Sequence, residues 1–249
     1  MRFPRLYPFV LLLAEPWAAQ ACGVVSGEAR VREIAPRGEI VLADGRHARL
    51  GGLWLAPQAA AALAQRRGDQ LRLAPLDRRP DRWGRLVADF VDRDGQSVAL
   101  DLILRGLALV RPEPETRACE AERLEAEEAA RAAGEGVWAS PGVILAATDT
   151  SALARADGRF ALVAGVVRRV GGARAKVYLD FAGRGGFSVV VARKAEPQFR
   201  RAGVDLKALA GERVLVRGVV DARFGPRIEI ADPLMIEPLE SAKETGRGG

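Results

Sequence analysis

The sequence predicts a mainly β chain built as two small barrels, the first with appended helices, and three observations predict it. Residues 23–111 are a series of short alternating apolar and polar runs broken by turn signals. A second series of such runs begins near Gly158. Between them lies one long stretch dense in Ala, Glu, Leu and Arg, the composition of a helix. At 249 residues, 49% hydrophobic and 28% charged, the chain has a globular composition and room for one large or two modest domains.

In the first module, strands are expected at residues 24–34 and 39–42, flanking the Pro36-Arg37-Gly38 turn. Asp44-Gly45 is a hairpin signal leading into Ala48-Arg49-Leu50. Residues 58–65 form an Ala-rich helix ended by Arg66-Arg67-Gly68-Asp69, and strands follow at 70–76 and 86–91. Helical spacing returns over residues 97–106, with Val98, Leu102 and Ile103 on one face. After Pro112 and Pro114, Thr116 is placed to cap a helix over 117–133, which Gly134 and Gly136 end, with Val137-Trp138 as an apolar anchor beyond.

Residues 141–155 read as a linker. The second module then shows strands at 160–170, 175–181 and 187–192, a short polar helical region through 198–201 and 206–209, and strands at 213–220 and 227–230. Five strands with a helix between the third and fourth is the order of the OB-fold, a partly open barrel. The expected organisation is a signal peptide at 1–21, a first domain at 22–140, the linker at 141–155, an OB-like domain at 156–240 and a flexible tail at 241–249.

Composition excludes several chemistries. With two cysteines and one histidine, a tetrahedral zinc site would need carboxylates beside Cys22, Cys119 and His47, and a Ser-His-Asp triad would have to use His47. Iron–sulfur and c-type haem sites fail on the same count, and no P-loop run is present. The formal charge is +6. Residues 23–140 carry 18 basic against 19 acidic side chains, whereas residues 156–240 carry 15 against 10, so the basic excess lies in the C-terminal third. Nearly all the cations are Arg, which weakens any single Arg as a sign of phosphate recognition.

The N-terminus has the form of an export signal: Arg2 and Arg5, then Phe9-Val10-Leu11-Leu12-Leu13-Ala14, then Ala19-Gln20-Ala21 as a cleavage site. The apolar run is shorter than the roughly 20 residues of a membrane span, and no transmembrane segment is expected elsewhere. A periplasmic or secreted location follows, with a lipoprotein acylated on Cys22 as the alternative. In an oxidising compartment Cys22 and Cys119 are expected to pair, a bond worth up to ~4–5 kcal/mol on the chain-entropy argument. The alternative is a buried free Cys119 beside a lipidated Cys22.

Three runs in order resemble the thermonuclease, or staphylococcal nuclease-like, family. They are Asp44-Gly45-Arg46-His47-Ala48-Arg49-Leu50-Gly51-Gly52-Leu53 leading to Pro57, then Asp81-Arg82-Trp83-Gly84-Arg85-Leu86-Val87-Ala88, then Leu104-Arg105-Gly106-Leu107-Ala108-Leu109-Val110 followed by the helix and Gly136-Val137-Trp138. The resemblance spans about residues 28–139. It implies an OB-type barrel with helices, and a chemistry in which carboxylate-held calcium polarises a phosphate, a Glu activates water and two Arg stabilise the developing charge. Arg49 and Arg85 match the two arginines; the alternatives are a barrel-rim Arg49 paired with an acid such as Asp81, and an ordinary turn-to-strand Arg85. The family's Asp-Gly-Asp-Thr run is Pro36-Arg37-Gly38-Glu39 here. Its Ile-Asp-x-Pro-Glu run is Leu53-Trp54-Leu55-Ala56-Pro57-Gln58, one residue longer. An apolar residue thus replaces the aspartate ligand, and Gln58 stands at the Glu position. An amide cannot act as general base, a loss of ~10²–10⁴-fold in rate. Metal ligands: none are assigned. Glu39 with Asp44 or Asp89 could contribute only to a rebuilt calcium site.

Trp83 matches the family's aromatic beside Gly-Arg and is a candidate for base stacking, with a rim-packing role as the alternative. Trp54 is expected to pack over the barrel mouth, with base stacking as its functional alternative, and His47 is expected to be solvated. In the second module Val177, Leu179 and Phe181 are expected in the core, while Arg174, Lys176 and Tyr178 form a candidate nucleic-acid surface. The leading expectation is an exported, catalytically degenerate nuclease-like protein that binds single-stranded DNA, RNA or another polyanion. A working nuclease with a rebuilt metal site is the runner-up, and an envelope structural or protein-binding module the third.

Overall fold

The computed structural model describes residues 22–183 and 185–239. The expected signal peptide (1–21) and tail (241–249) lie outside the described residues. Turn chemistry sets the first sheet. β1 (Gly27–Ile34) runs antiparallel to β2 (Ile40–Leu42) across the Pro36-Arg37-Gly38 turn. Asp44-Gly45, with Gly45 at φ 87°, closes a hairpin onto β3 (His47–Leu50), placing Ile40 opposite Ala48 and Val41 opposite His47. β4 (Leu53–Leu55) and the helix α1 (Ala59–Ala64) follow. β5 (Gln70–Pro75) pairs with the first half of β1, and β6 (Leu86–Val91) joins β5 antiparallel to β3 parallel. The order β1-β2-β3-β6-β5 closes into a barrel, with α1 between the third and fourth strands as an OB-type order requires. Alternating residues such as Leu42, Leu50, Leu71, Leu73 and Phe90 fill it, each worth ~1.5–3 kcal/mol of burial.

The appended helices pack outside. Ser97 caps α2 (Val98–Leu104) by accepting a hydrogen bond from the Leu100 amide at 3.1 Å. β7 (Ala108–Val110) pairs with β4 in a ribbon that no alternation in these three-residue runs signals. The next helix starts differently from expectation. Glu113 and Thr116 form a reciprocal capping box around a 3-10 turn, Pro114–Cys119, with Pro114 in its first turn, and α3 (Glu120–Ala133) begins after it. Gly134, at φ 69°, ends α3. Cys22 and Cys119 form a disulfide, with Cα atoms 5.5 Å apart, tying the start of the described chain to the N-terminus of α3.

Residues 141–155, expected as a linker, contribute β8 (Ile144–Ala146) and α4 (Thr150–Arg155), whose Asp149 cap accepts from the Ala152 amide at 2.8 Å. β8 lies parallel to β9 (Phe160–Val166). β10 (Arg169–Gly172), β11 (Lys176–Asp180) and β12 (Ser188–Ala192) then form an antiparallel meander. The helix α5 (Glu196–Arg201) precedes β13 (Arg213–Asp221) and β14 (Arg227–Ile230), and β15 (Ile236–Pro238) pairs with β13. The sheet order is β10-β11-β12-β14-β13-β9-β8.

This sheet corrects the expected second barrel, because it is not closed. The segment expected as one strand over 160–170 breaks after Val166. The Val167 amide still donates to Glu212 O, extending the ladder to β13, while the next amide, Arg168, already donates to Asp180 O beside β11. The chain turns a corner there, so the two flanks of the sheet meet through covalent chain rather than through a ladder. Val177, Leu179 and Phe181 do fall in the core, at 5%, 0% and 2% exposure.

Charge is also buried between the barrel and this sheet. Arg217 of β13, 1% exposed, donates to Glu127 of α3 at 2.7 Å and to Val110 O at 3.2 Å. The other Glu127 oxygen accepts from the Val110 amide. Nearby apolar contacts from Leu109, Leu162 and Leu215 complete the seam.

Candidate functional site

The site grows from strand parity. His47 and Arg49 alternate along β3 and so share a face, and β6 runs parallel beside it with Arg85 just before its first residue. Arg85 emerges from a turn in which Asp81 N–H donates to Arg85 O at 2.8 Å and Gly84 takes φ 76°. That turn aims Asp81 back at the cations. Asp81 Oδ2 lies 2.8 Å from Arg85 Nη2 and 3.4 Å from Arg49 Nε. The two arginines singled out from the sequence therefore converge on one carboxylate.

The pairing continues in both directions. Arg85 Nη1 lies 3.7 Å from Glu39 Oε2, and the other Glu39 oxygen meets His47 Nδ1. Arg49 Nη1 donates to Glu113 Oε2 at 2.8 Å, which also accepts from the Gly52 amide at 3.1 Å, and Arg111 Nε stands 3.9 Å from Glu113 Oε1. The result is an alternating chain, His47–Glu39–Arg85–Asp81–Arg49–Glu113–Arg111. Partial burial raises the Asp81 carboxyl, but the Arg85 guanidinium and the Arg85 and Trp83 amides outweigh it and hold it at about 2.

Of these residues, Glu39, Arg49, Arg85, Arg111 and Glu113 line a concavity of about 360 Å³ at the barrel mouth, with Arg37, Trp54 and Trp83 also on its walls. Trp83 is 63% exposed, with the Arg82 and Arg85 guanidiniums 3.9 and 4.8 Å from its ring centroid. Its ring face is thus occupied from within the chain, yet accessible from solvent. Arg37, Arg111 and Glu113 were not singled out from the sequence. No local pattern marks them, since Glu113 reaches Arg49 only because its helix cap packs beside β3.

Gln58 is exposed at the N-cap of α1, makes no capping hydrogen bond and does not line this concavity. Asp44 pairs with Arg46 in the hairpin turn. Asp89 is fully buried, accepting from Ser97 Oγ at 2.7 Å and the Cys22 amide at 3.1 Å, with Arg123 at 3.6 Å. The carboxylates weighed for a rebuilt calcium site therefore do not converge. Among the described residues no group of three or more His, Cys, Asp or Glu could hold a metal. Calcium takes six to eight oxygens, and this donor set does not fit it: Glu39, Asp81 and Glu113 each already face a cation.

On the second sheet, Arg174 is exposed in the β10–β11 turn and Lys176 Nζ lies 3.5 Å from Glu229. Tyr178 lines a separate hollow with Arg168, Arg169, Phe224 and Arg227. The structure does not gather Arg174 and Lys176 into that hollow. No helix among the described residues is long and apolar enough to cross a membrane.

Residues 56–140 match the family model described as staphylococcal nuclease homologue (SNase). The match takes in the Asp81–Arg85 turn, α2, β7 and α3, and begins downstream of Arg49. No curated protein matches the chain.

Proposed function

We propose that the barrel mouth binds the phosphates of nucleic acid or another polyanion without hydrolysing them efficiently, in an exported protein. The observation that carries this reading is the convergence of Arg49 and Arg85 on Asp81 within a wall that also presents Arg37, Arg111 and Trp83. Guanidiniums pre-oriented by a carboxylate suit bidentate phosphate contacts. The SNase match at residues 56–140 supports nucleic acid as the ligand. Gln58 away from the site and carboxylates already engaged by cations support binding over catalysis, since neither a general base nor an oxygen cage for calcium is supplied. The Cys22–Cys119 disulfide supports an oxidising compartment. Trp83 is the proposed stacking residue, and Arg174, Lys176 and Tyr178 are proposed as secondary contacts.

The test is a polyanion titration on mature protein at several salt concentrations, with and without calcium. Binding is expected at low salt, weakening as salt rises, and Arg49→Ala with Arg85→Ala should lower affinity at least 10-fold and flatten the salt slope by about 0.7 per lost contact on single strands. Calcium should produce no cleavage and no rise in melting temperature. Calcium-dependent cleavage that disappears in Arg85→Ala would overturn the reading.

A further inference from the structure

A second groove, about 1150 Å³, opens along the seam between the barrel and the second sheet. It shares Arg37, Trp54 and Arg111 with the barrel mouth, so the two are continuous. Its floor is apolar, with Leu109, Val137, Leu145 and Leu162. Its charged lining is Arg37 and Arg111 from the barrel wall and Arg155 and Arg159 from the opposite wall, and no acidic side chain is among the described residues that line it. Arg111 has Glu113 at 3.9 Å, while Arg37, Arg155 and Arg159 make no ion pair among the described residues; like charges left in excess disfavour one another, and a polyanion relieves this. Among its lining residues, Trp54 of β4 and Phe160 of β9 lie nearly parallel, with centroids 6.3 Å apart and planes at 23°. Both are half-buried, so the pair bridges the seam while remaining open to the groove.

We propose that this groove is a track for an unpaired nucleic-acid strand, whose bases stack on the Trp54–Phe160 pair while Arg37, Arg111, Arg155 and Arg159 hold its phosphates. The proposal rests on the reading that the barrel mouth binds a polyanion, and names single strands as its ligand class. A duplex buries its base faces in its own stack and cannot use the aromatic pair, whereas a single strand exposes them. Guanidiniums on both walls match a backbone that repeats its charge along its length, rather than one anionic headgroup.

The experiment uses the full chain with oligothymidylate, a DNA duplex and phosphatidylglycerol vesicles as probes. Phe160→Ala should weaken oligothymidylate binding roughly 5- to 100-fold and leave duplex binding within twofold. Phe160→Tyr, which keeps the ring, should bind as the parent does, separating stacking from any loosening of the seam. Arg155→Ala with Arg159→Ala, both exposed, should flatten the single-strand salt slope by about 1.4. Equal losses for duplex and single strand, or vesicle binding with the same dependence on Phe160, would overturn the track. If Arg49→Ala with Arg85→Ala abolishes binding while the Phe160 and Arg155/Arg159 variants change nothing, the groove fails and the barrel-mouth reading stands. The converse pattern removes the barrel mouth and leaves the groove.

Discussion

Asp81 orients two guanidiniums and neutralises part of their charge, so it opposes the anion binding it prepares. Asp81→Asn is expected to tighten polyanion binding several-fold at neutral pH, because Arg49 and Arg85 lose a competing carboxylate. The same change should cost about 1 kcal/mol of stability at neutral pH, as fits a partly solvated pair. The pH dependence has a definite sign. Asp81 titrates at about 2 in the folded chain against an ordinary 3.8, so its contribution is present above pH 3.8 and lost as pH falls through about 2. Urea unfolding between pH 4 and pH 2 should show a shallower loss in Asp81→Asn than in the parent; identical slopes would remove Asp81 from this account. Arg49 and Arg85 were legible as single residues. Asp81 was legible as an acid that could pair with Arg49; that Arg85 shares it was not, because Asp81 reaches both only through the Gly84 turn and the parallel pairing of β3 with β6.

At the scale of elements, the glycines of the third motif run have a packing explanation. Gly106 (φ 60°) and Gly136 (φ 53°) face each other where the turn after α2 meets the chain leaving α3, and the Val137 amide donates to Gly106 O at 2.9 Å. A Cβ on Gly136 would stand 2.4 Å from the carbonyl oxygens of Arg105 and Gly106, which are backbone atoms that cannot swing away. Gly136→Ala is therefore expected to cost about 3 kcal/mol or more. Gly134→Ala has a comparable φ but nothing within 4 Å of the added carbon, so it should cost only about 1 kcal/mol of left-handed strain. Chemical denaturation of the two variants separates clash from strain. The hairpin at Asp44-Gly45 and the long helix were legible because turn residues and helical composition act locally. The β4–β7 ribbon, β8 and α4 were not, since three-residue strands carry too little alternation and the parallel pairing of β8 with β9 leaves no mark in either run.

For the whole molecule, the Arg217–Glu127 pair couples barrel and sheet. Removing either partner strands a buried charge, so Arg217→Ala or Glu127→Ala should cost about 3–5 kcal/mol, whereas Arg217→Met with Glu127→Leu should cost far less. A cycle of equilibrium unfolding measurements on Arg217→Met, Glu127→Leu and the double variant gives the coupling, and a double cost equal to the sum of the two single costs would reject it. The disulfide acts at the same scale. Reduction of Cys22–Cys119, separated by 97 positions, should lower stability by up to ~4–5 kcal/mol, read as a shift of the denaturation midpoint with and without reductant.

The amino-acid sequence by itself determined the mainly β character, the turns and helix end that carry their own backbone chemistry, the alternating core positions of β11, and the two arginines of the barrel mouth. It also pointed to the cysteine pair, since two thiols expected in an oxidising compartment have one partner each. Only the tertiary structure decided that the second sheet stays open, because the corner at Val167–Arg168 depends on which strands offer carbonyls there. It alone brought Arg37, Arg111 and Glu113 to the mouth and set Trp54 against Phe160 across the seam. Those contacts join residues far apart in the chain, and a property that exists only between distant side chains leaves no periodicity or spacing in either segment.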